Sequence, residues 1–247
     1  MKIIFLGTNG WFDNKTGNTP CILIQTNDFH IVLDAGNGIH KLDQYIKDEK
    51  PIYIFISHLH LDHIEGFHTF TKFRFKQGVN IYVKKGSKEL LNSIIRPPFT
   101  APFSDASTPS EIIEIDKGEN DAPFTFEAIE TEHAGDGFGY RFSIDNKIVS
   151  YSGDSAVCEN SKKLAKDADL LIHECSFTED KNDKWGHSKP KEVATLAKEN
   201  GVKKLILTHF DPTSYLNFEA RKNAEEIAKA IFENTTAAID ELEINIT

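Results

Sequence analysis

The chain has 247 residues, 28 of them basic and 38 acidic, which gives a net charge of −10, and 39% of its residues are hydrophobic. This length and apolar content allow one large core or two small ones, while the acidic charge argues against non-specific binding of nucleic acids. The three cysteines lack CxxC spacing, which argues against a disulfide framework and favours a reducing cytoplasm. We expect a cytoplasmic protein without a membrane partner, because the N-terminus has too few apolar residues for a signal peptide and no apolar run approaches the roughly 18 residues of a membrane span.

Apolar runs predict secondary structure along the first half of the chain. The predicted strands are residues 2–6, 21–25, 29–33, 52–56 and 79–83, and the predicted helices are residues 39–48, 64–72 and a segment from residue 87. Residues 34–38 follow the third strand, and their glycines permit a tight turn. Within this turn, Asp34 is either an orienting partner of a metal-binding histidine or a plain turn residue.

Residues 96–110 contain four of the nine prolines and cannot form regular structure. Two interpretations are open. The segment overhangs the functional site with Phe99 and Phe103 as substrate contacts, or it is a surface connection fixed by two buried phenylalanines. We prefer the surface connection.

The second half of the chain is rich in strands. They are predicted at residues 124–131, 139–144, 147–151, 169–172, 204–207 and 239–246. Ser188 is the predicted N-cap of a helix over residues 189–199, and apolar residues between 220 and 231 indicate a longer helix. We find no linker, low-complexity tract or short repeat, so we expect a single domain over residues 1–247.

A histidine-rich turn directly follows the strand predicted at residues 52–56. Within six residues it contains His58, His60, Asp62 and His63. Four such side chains make a poor structural turn and a good metal site. Imidazole nitrogen and carboxylate oxygen suit zinc, and manganese and iron are alternatives.

Five predicted strands end in a side chain that can bind a metal, namely His58, His133, Asp154, Glu174 and His209. Because sites in α/β proteins form beyond the carboxyl ends of strands, we expect these side chains to converge. They suffice for two metals. One set is His58, His60 and His133, the other is Asp62, His63 and His209, and Asp154 would bridge the two. A bridging water would be the nucleophile, and activity should fall in acid because the ligands must be deprotonated.

His173 and Glu174 are neighbours on a strand and therefore face opposite ways, so we expect only one of them to reach the site. His30, His40 and His68 follow no pattern, and we assign them no role.

The order of these motifs resembles the metallo-β-lactamase superfamily over nearly the whole chain, and within it the ribonuclease Z group is most similar. The matching segments are residues 151–155, 171–177, 186–188 and 204–209. The resemblance implies an α/β fold of four layers, an αββα sandwich with two facing sheets and helices outside. Asp62 and Asp154 point to the branches that bind two metals, which we expect to be two zinc ions. A homodimer is expected from the resemblance alone.

The resemblance also implies a proton donor. His187 would protonate the leaving oxygen, and Glu174 would hold His187 and keep it charged. The candidate catalytic residues are thus Asp62, His187 and Glu174. A phosphodiester releases an alkoxide, which is a poor leaving group and needs a general acid.

The chain departs from the ribonuclease Z pattern in the segment between His133 and Asp154. Members that process tRNA carry a long Gly/Pro-rich arm, which in the bacterial type lies at this place. Here, two predicted strands occupy the segment and leave no room for an arm. The acidic charge also disfavours a large RNA partner. We therefore expect a small or cyclic phosphodiester as substrate.

Other functions are open at this point. The first alternative is a tRNA 3′-processing endonuclease, and the second is a di-iron redox protein on the same fold, although no carboxylate replaces a turn histidine and no flavin module is evident. A metal-free binding domain is a third. The same bridging hydroxide would also hydrolyse β-lactams, thioesters or sulfate esters.

Overall fold

The computed structural model describes residues 1–181 and 184–247, which form two seven-stranded sheets. The first sheet consists of β1 (Lys2–Gly7), β2 (Cys21–Gln25), β3 (His30–Leu33), β4 (Ile52–Phe55), β5 (Val79–Lys84), β6 (Ser110–Ile115) and β14 (Glu243–Asn245). Its strand order is β14-β1-β2-β3-β4-β5-β6, and the strands from β3 to β6 are parallel.

The second sheet contains the strands from the middle and the end of the chain. They are β7 (Gly118–Asp121), β8 (Thr125–Glu130), β9 (Phe138–Ile144), β10 (Lys147–Tyr151), β11 (Leu170–Glu174), β12 (Leu205–Thr208) and β13 (Thr235–Ala237). The order is β13-β12-β11-β10-β9-β8-β7, and the strands from β10 to β13 are parallel.

Helices cover the outer faces of both sheets. They are α1 (Leu42–Tyr45), α2 (Leu61–Ile64), α3 (Lys88–Ile94), α4 (Glu159–Ala165), α5 (Pro190–Glu199) and α6 (Phe218–Lys229), with 3₁₀ helices at Asn37–Lys41, Glu65–Lys72 and Phe103–Asp105. Among the described helices, none has the length and apolarity to cross a membrane.

Strand β4 shows how the sequence produces the layers. All four of its residues are buried, and successive side chains of a strand point to opposite faces. Tyr53 and Phe55 lie in the apolar layer between the sheets, whereas Ile52 and Ile54 lie between the first sheet and its helices. A third layer joins the second sheet to α5 and α6. The predicted αββα sandwich is therefore confirmed.

Several element predictions were incomplete or wrong. Strands β6, β7 and β13 and helix α4 were missed. The three strands form edges of their sheets, and in β6 charged residues interrupt the apolar pattern. The helix predicted over residues 64–72 is a 3₁₀ helix, and the strand predicted near residues 239–246 is only the short β14. Ser188 is not the N-cap of α5. Its hydroxyl instead donates to the backbone oxygen of Ser155, and Lys189 occupies the cap position.

The proline-rich segment over residues 96–110 is a surface connection fixed by one phenylalanine instead of two. It contains the 3₁₀ helix Phe103–Asp105, so the expectation that it forms no regular structure was wrong. Phe103 packs against Phe67 and Phe70, with ring centroids 5.2 and 5.1 Å apart. Phe99, in contrast, is 72% exposed. The expectation that Phe99 is buried was wrong.

The layer between the sheets should dominate stability. Phe55 is fully buried and packs against Tyr82, Phe126 and Phe142 with ring centroids 4.6, 4.9 and 5.0 Å away. We expect Phe55→Ala to lower the free energy of unfolding by about 3–5 kcal/mol in urea denaturation, because it leaves a cavity between the sheets. Phe99→Ala, the matched control at the surface, should change it by less than about 0.5 kcal/mol. Equal losses in the two variants would contradict this layering.

Candidate metal centre

The predicted metal-binding side chains meet at one edge of the sandwich, beyond the carboxyl ends of strands from both sheets. His58 follows β4 of the first sheet, whereas His133, Asp154 and His209 follow β8, β10 and β12 of the second. Strands β10, β11 and β12 are parallel, so their carboxyl ends reach the same edge. The convergence expected from the strand ends is thus present in the structure.

The side chains form two groups that could each hold a metal. In the first group, one ligand-type atom from each side chain lies within 4.8 Å of the others, and its members are His58, His60, His133 and Asp154. The second group meets the same limit and consists of Asp62, His63 and His209. This division matches the two sets expected from the sequence.

Asp154 lies between the two groups. Its Oδ1 atom is 3.4 Å from His63 Nε2 and 3.2 Å from His209 Nε2. Its Oδ2 atom is 3.8 Å from His58 Nε2 and 3.7 Å from His133 Nε2. One oxygen therefore faces each group, as a bridging carboxylate requires.

Two glycines allow the backbone to approach the centre closely. A Cβ atom on Gly135 would lie 2.3 Å from His58 Cδ2, so only glycine fits beside that ring. Gly153 has φ = +57°, a left-handed conformation that glycine adopts easily, and it directly precedes Asp154. The loops on both sides of the first group are thus fixed by backbone geometry.

Asp34 is completely buried beneath the second group. Its Oδ2 atom accepts hydrogen bonds from His63 Nδ1 at 2.7 Å, Tyr151 Oη at 2.6 Å and Ser57 Oγ at 2.9 Å, and its Oδ1 atom accepts from the Ser57 backbone N–H at 2.7 Å. A histidine that donates through Nδ1 presents the lone pair of Nε2 to the centre. Of the two readings of Asp34, these contacts support the orienting partner.

Ser57 and Tyr151 were missed by the sequence analysis. Ser57 Oγ is 3.0 Å from His58 Nδ1 and can accept its hydrogen, so the Nε2 lone pair of His58 also faces the centre. The only signal in the sequence was position, since Ser57 precedes His58 and Tyr151 is the last residue of the strand that leads to Asp154.

The donor set fits divalent cations. His58 Nε2 is buried and has no hydrogen-bond partner among the described residues, which is costly for a polar atom. The Nε2 atoms of His63 and His209 lie only 3.1 Å apart and both face Asp154. Imidazole nitrogens and carboxylate oxygens directed at common points have the chemistry of a divalent metal site.

The pKa shifts within the cluster have opposite directions. Burial lowers the pKa of His58, His60 and His133, which favours the neutral imidazoles that bind metals. Burial opposes ionisation of Asp154, yet the surrounding imidazoles of His209 and His63 lower its pKa.

His63 behaves differently from the other three imidazoles. Burial alone would lower its pKa, but the carboxylates of Asp154, Asp34 and Asp62 outweigh burial and raise it. In the metal-free protein, these carboxylates therefore favour the protonated form of His63, at the place where the donor set could hold a cation.

The expected proton donor lies beside the cluster. His187 Nδ1 is 2.8 Å from Glu174 Oε1, and the ring of His187 is 4.8 Å from the ring of His133. Glu174 is fully buried and accepts hydrogen bonds from the backbone N–H groups of Ser155 at 3.2 Å and Ser176 at 2.9 Å. Although burial opposes its ionisation, the imidazole of His187 lowers the pKa of Glu174.

His187 is also close enough to contact a group bound at the centre. Ligand-type atoms of Asp154, His187 and His209 lie within 4.8 Å of one another.

His173, the neighbour of Glu174, has its Nδ1 atom 2.8 Å from the Glu174 backbone oxygen. Of this strand pair, only Glu174 contacts His187 among the described residues, in agreement with the expectation that one of the two reaches the site.

An αββα sandwich with a histidine and aspartate cluster beyond its strand ends defines a class of metal-binding proteins. Residues 30–210 match the family model described as the beta-lactamase superfamily domain, and the chain therefore belongs to that superfamily. Its relatives bear the names of ribonuclease Z and metallo-hydrolases, and the chain is a metal-dependent hydrolase.

A ribonuclease Z of Archaeoglobus fulgidus is 28% identical over 311 residues, covering 100% of this chain and 98% of that protein. Because this alignment is longer than the chain's 247 residues, the relative contains segments with no counterpart here. The probable metallo-hydrolase YhfI of Bacillus subtilis is 28% identical over 237 residues, which cover 94% of each protein.

Solved structures show the same architecture. The crystal structure of YhfI has a TM-score of 0.83 at 25% identity and covers 99% of both chains. Human short-form tRNase Z, ELAC1, has a TM-score of 0.79 at 23% identity and covers 100% of both chains. The expected resemblance to the ribonuclease Z group is confirmed.

Asp34 should control metal affinity through His63. We expect Asp34→Asn to weaken zinc binding by about 10-fold to 100-fold, because the amide cannot reproduce the carboxylate that receives three side-chain donors. Competition with a chromogenic chelator measures the change. Asp43→Asn, at a surface carboxylate paired with Lys72, is the control and should leave the affinity unchanged. Unaltered zinc affinity in Asp34→Asn would contradict the orienting role.

Metal uptake should release a proton at neutral pH. The raised pKa of His63 favours its protonated form in the metal-free protein, whereas the lowered pKa values of His58, His60 and His133 favour their neutral forms. We expect about one proton to be released when a cation binds at His63, and affinity should rise with pH until the pH exceeds the pKa of His63. Calorimetric titrations with zinc in buffers of different ionisation enthalpy measure this release. Heats that do not depend on the buffer would show that His63 is already neutral.

Proposed function

We propose that the protein is a phosphodiesterase that uses two metal ions and acts on a small or cyclic phosphodiester. The observation that carries the proposal is the Glu174–His187 pair, held beside two ligand groups that Asp154 joins. A general acid next to a metal centre suits a reaction that releases a poor leaving group, and phosphodiester cleavage is such a reaction.

Each group of side chains would hold one cation. His58, His60 and His133 would bind the first, Asp62, His63 and His209 would bind the second, and Asp154 would contact both. Nitrogen and oxygen donors favour zinc, and manganese or iron would also accept this set. When bound, the two cations supply Lewis acidity and an activated water for displacement at phosphorus.

The chain's own residues would position the transferred proton and the attacking water. His187 donates through Nδ1 to Glu174, which leaves Nε2 to protonate the leaving oxygen. Glu174 remains ionised in its buried site and favours the charged form of His187. Asp62 would bind the second cation and accept a hydrogen bond from the attacking water; its Oδ2 atom is fixed by the backbone N–H of Trp11 at 2.7 Å.

The dimensions of the chain favour a small substrate. Between His133 and Asp154, the structure contains only β9, β10 and short loops, so no arm for gripping a large RNA extends from this place. The net charge of −10 would repel a polyanion over much of the surface.

The second candidate is a ribonuclease Z activity on precursor tRNA. Similarity in sequence to proteins named ribonuclease Z over the full length of the chain favours it.

The two candidates are separated by a substrate panel. The zinc-loaded and manganese-loaded protein should hydrolyse bis(p-nitrophenyl) phosphate and a nucleoside 2′,3′-cyclic phosphate, and it should cleave precursor tRNA poorly. Efficient 3′-end cleavage of precursor tRNA, with a strong dependence on salt, would favour the second candidate. No turnover of any phosphodiester with any metal tested would overturn both.

The role of His187 can be tested by leaving-group dependence. We expect His187→Ala to slow cleavage of a dinucleoside phosphate by about 10²-fold to 10⁴-fold, because an alkoxide must be protonated as it leaves. With bis(p-nitrophenyl) phosphate, which releases the good leaving group p-nitrophenolate, kcat should fall by less than about tenfold. Measurement of kcat for both substrates checks this difference. His68→Ala, at an exposed histidine, is the control. Equal losses for the two substrates would exclude His187 as the general acid.

A further inference from the structure

A single buried hydroxyl lies between the metal centre and the proton donor. Ser176 follows β11 and is 2% exposed. Its Oγ atom is 2.9 Å from His209 Nδ1, 3.0 Å from the backbone oxygen of His209 and 3.3 Å from His187 Nδ1. Three groups of the site therefore lie within hydrogen-bonding distance of one hydroxyl. The number of hydrogens and lone pairs on this hydroxyl determines which hydrogen bonds it can form.

The hydroxyl has only one hydrogen. The backbone oxygen of His209 is an acceptor only, so the Ser176 hydroxyl donates to it. Towards His209 Nδ1, Ser176 Oγ must then act as acceptor, which requires a hydrogen on Nδ1. In this tautomer, the lone pair of His209 is on Nε2, the atom that lies 3.2 Å from Asp154 Oδ1 and 3.3 Å from Asp62 Oδ2.

We propose that Ser176 is a positioning residue that fixes the tautomer and orientation of His209 for binding one of the two cations. The inference rests on the metal centre of the proposed function. It parallels the contact of Asp34 with His63, so both imidazoles of the second group are held through Nδ1. His209 has φ = +55°, a conformation that residues with a side chain rarely adopt. Ser176 donates a hydrogen bond to the backbone oxygen of His209 and accepts one from its Nδ1, and these two bonds help to hold that conformation.

Ser176 positions the candidate metal ligand His209 more than the proposed proton donor His187. His187 Nδ1 is 2.8 Å from Glu174 Oε1 but 3.3 Å from Ser176 Oγ, so its hydrogen is directed mainly to the carboxylate. Loss of the hydroxyl should therefore leave the Glu174–His187 pair in place and release His209. This expected result distinguishes a residue that positions His209 from one that takes part in proton transfer.

The test is a zinc titration with a competing chelator, which resolves two binding events per chain. We expect Ser176→Ala to weaken one event by about 10-fold to 100-fold and to leave the other, at His58, His60 and His133, unchanged. Ser176→Thr keeps a hydroxyl and should bind zinc like the wild type. The matched control is Ser150→Ala, which removes a buried hydroxyl that donates to the Leu164 backbone oxygen at 2.7 Å, away from the ligand groups.

Nuclear magnetic resonance of the zinc-loaded wild type tests the tautomer without any substitution. The ring of His209 should carry its hydrogen on Nδ1, and the signal of that hydrogen should move in Ser176→Ala. A hydrogen on Nε2 of His209, or equal zinc affinities in Ser176→Ala and the wild type, would overturn the inference. A wild type that binds zinc but hydrolyses no phosphodiester would overturn the proposed function alone, whereas a wild type that binds no divalent metal would overturn both.

Discussion

The buried carboxylate of Asp34 connects the two sheets directly beneath the metal centre. It accepts hydrogen bonds from Ser57 and His63 in the first half of the chain and from Tyr151 in β10 of the second sheet. A carboxylate without water is stable only when donors surround it, and this one accepts from four groups. The need to satisfy Asp34 therefore fixes the second sheet against the histidine-rich turn. That contact joins the residue before His58 to the strand that leads to Asp154.

The surrounding charges then give the imidazoles different properties. Burial lowers the pKa of His58, His60 and His133 and so favours their neutral forms, whereas three carboxylates favour a positive charge on His63. A cation bound in the second group would balance the negative charge of the same carboxylates that favour protonation of His63. His187 lies outside this set with 15% of its side chain exposed, and its Nδ1 atom contacts Glu174. The candidate metal ligands and the proposed proton donor are thus neighbouring but separate side chains.

The sequence predicted which candidate ligands converge better than it predicted the residues that hydrogen-bond to them, and the reason is physical. His58, His133, Asp154 and His209 each follow a strand that local apolar runs reveal, so topology alone brings them together. The contact from Tyr151 to Asp34 spans 117 residues and leaves no local pattern. Strand β6 was missed because exposed positions at a sheet edge admit glutamates into an otherwise apolar alternation. The hydroxyl of Ser176 carries no signal of its own, since its role depends on where β12 places His209.

The central claim is that both sheets contribute side chains to two cation sites joined by Asp154. X-ray diffraction from crystals of the zinc-loaded protein, recorded on both sides of the zinc absorption edge, measures this most directly. The account predicts two anomalous peaks per chain, one contacted by His58, His60 and His133 and the other by Asp62, His63 and His209, with Asp154 in contact with both. Crystals of catalytically active protein with no anomalous peak at these side chains, or with zinc bound only elsewhere, would contradict it.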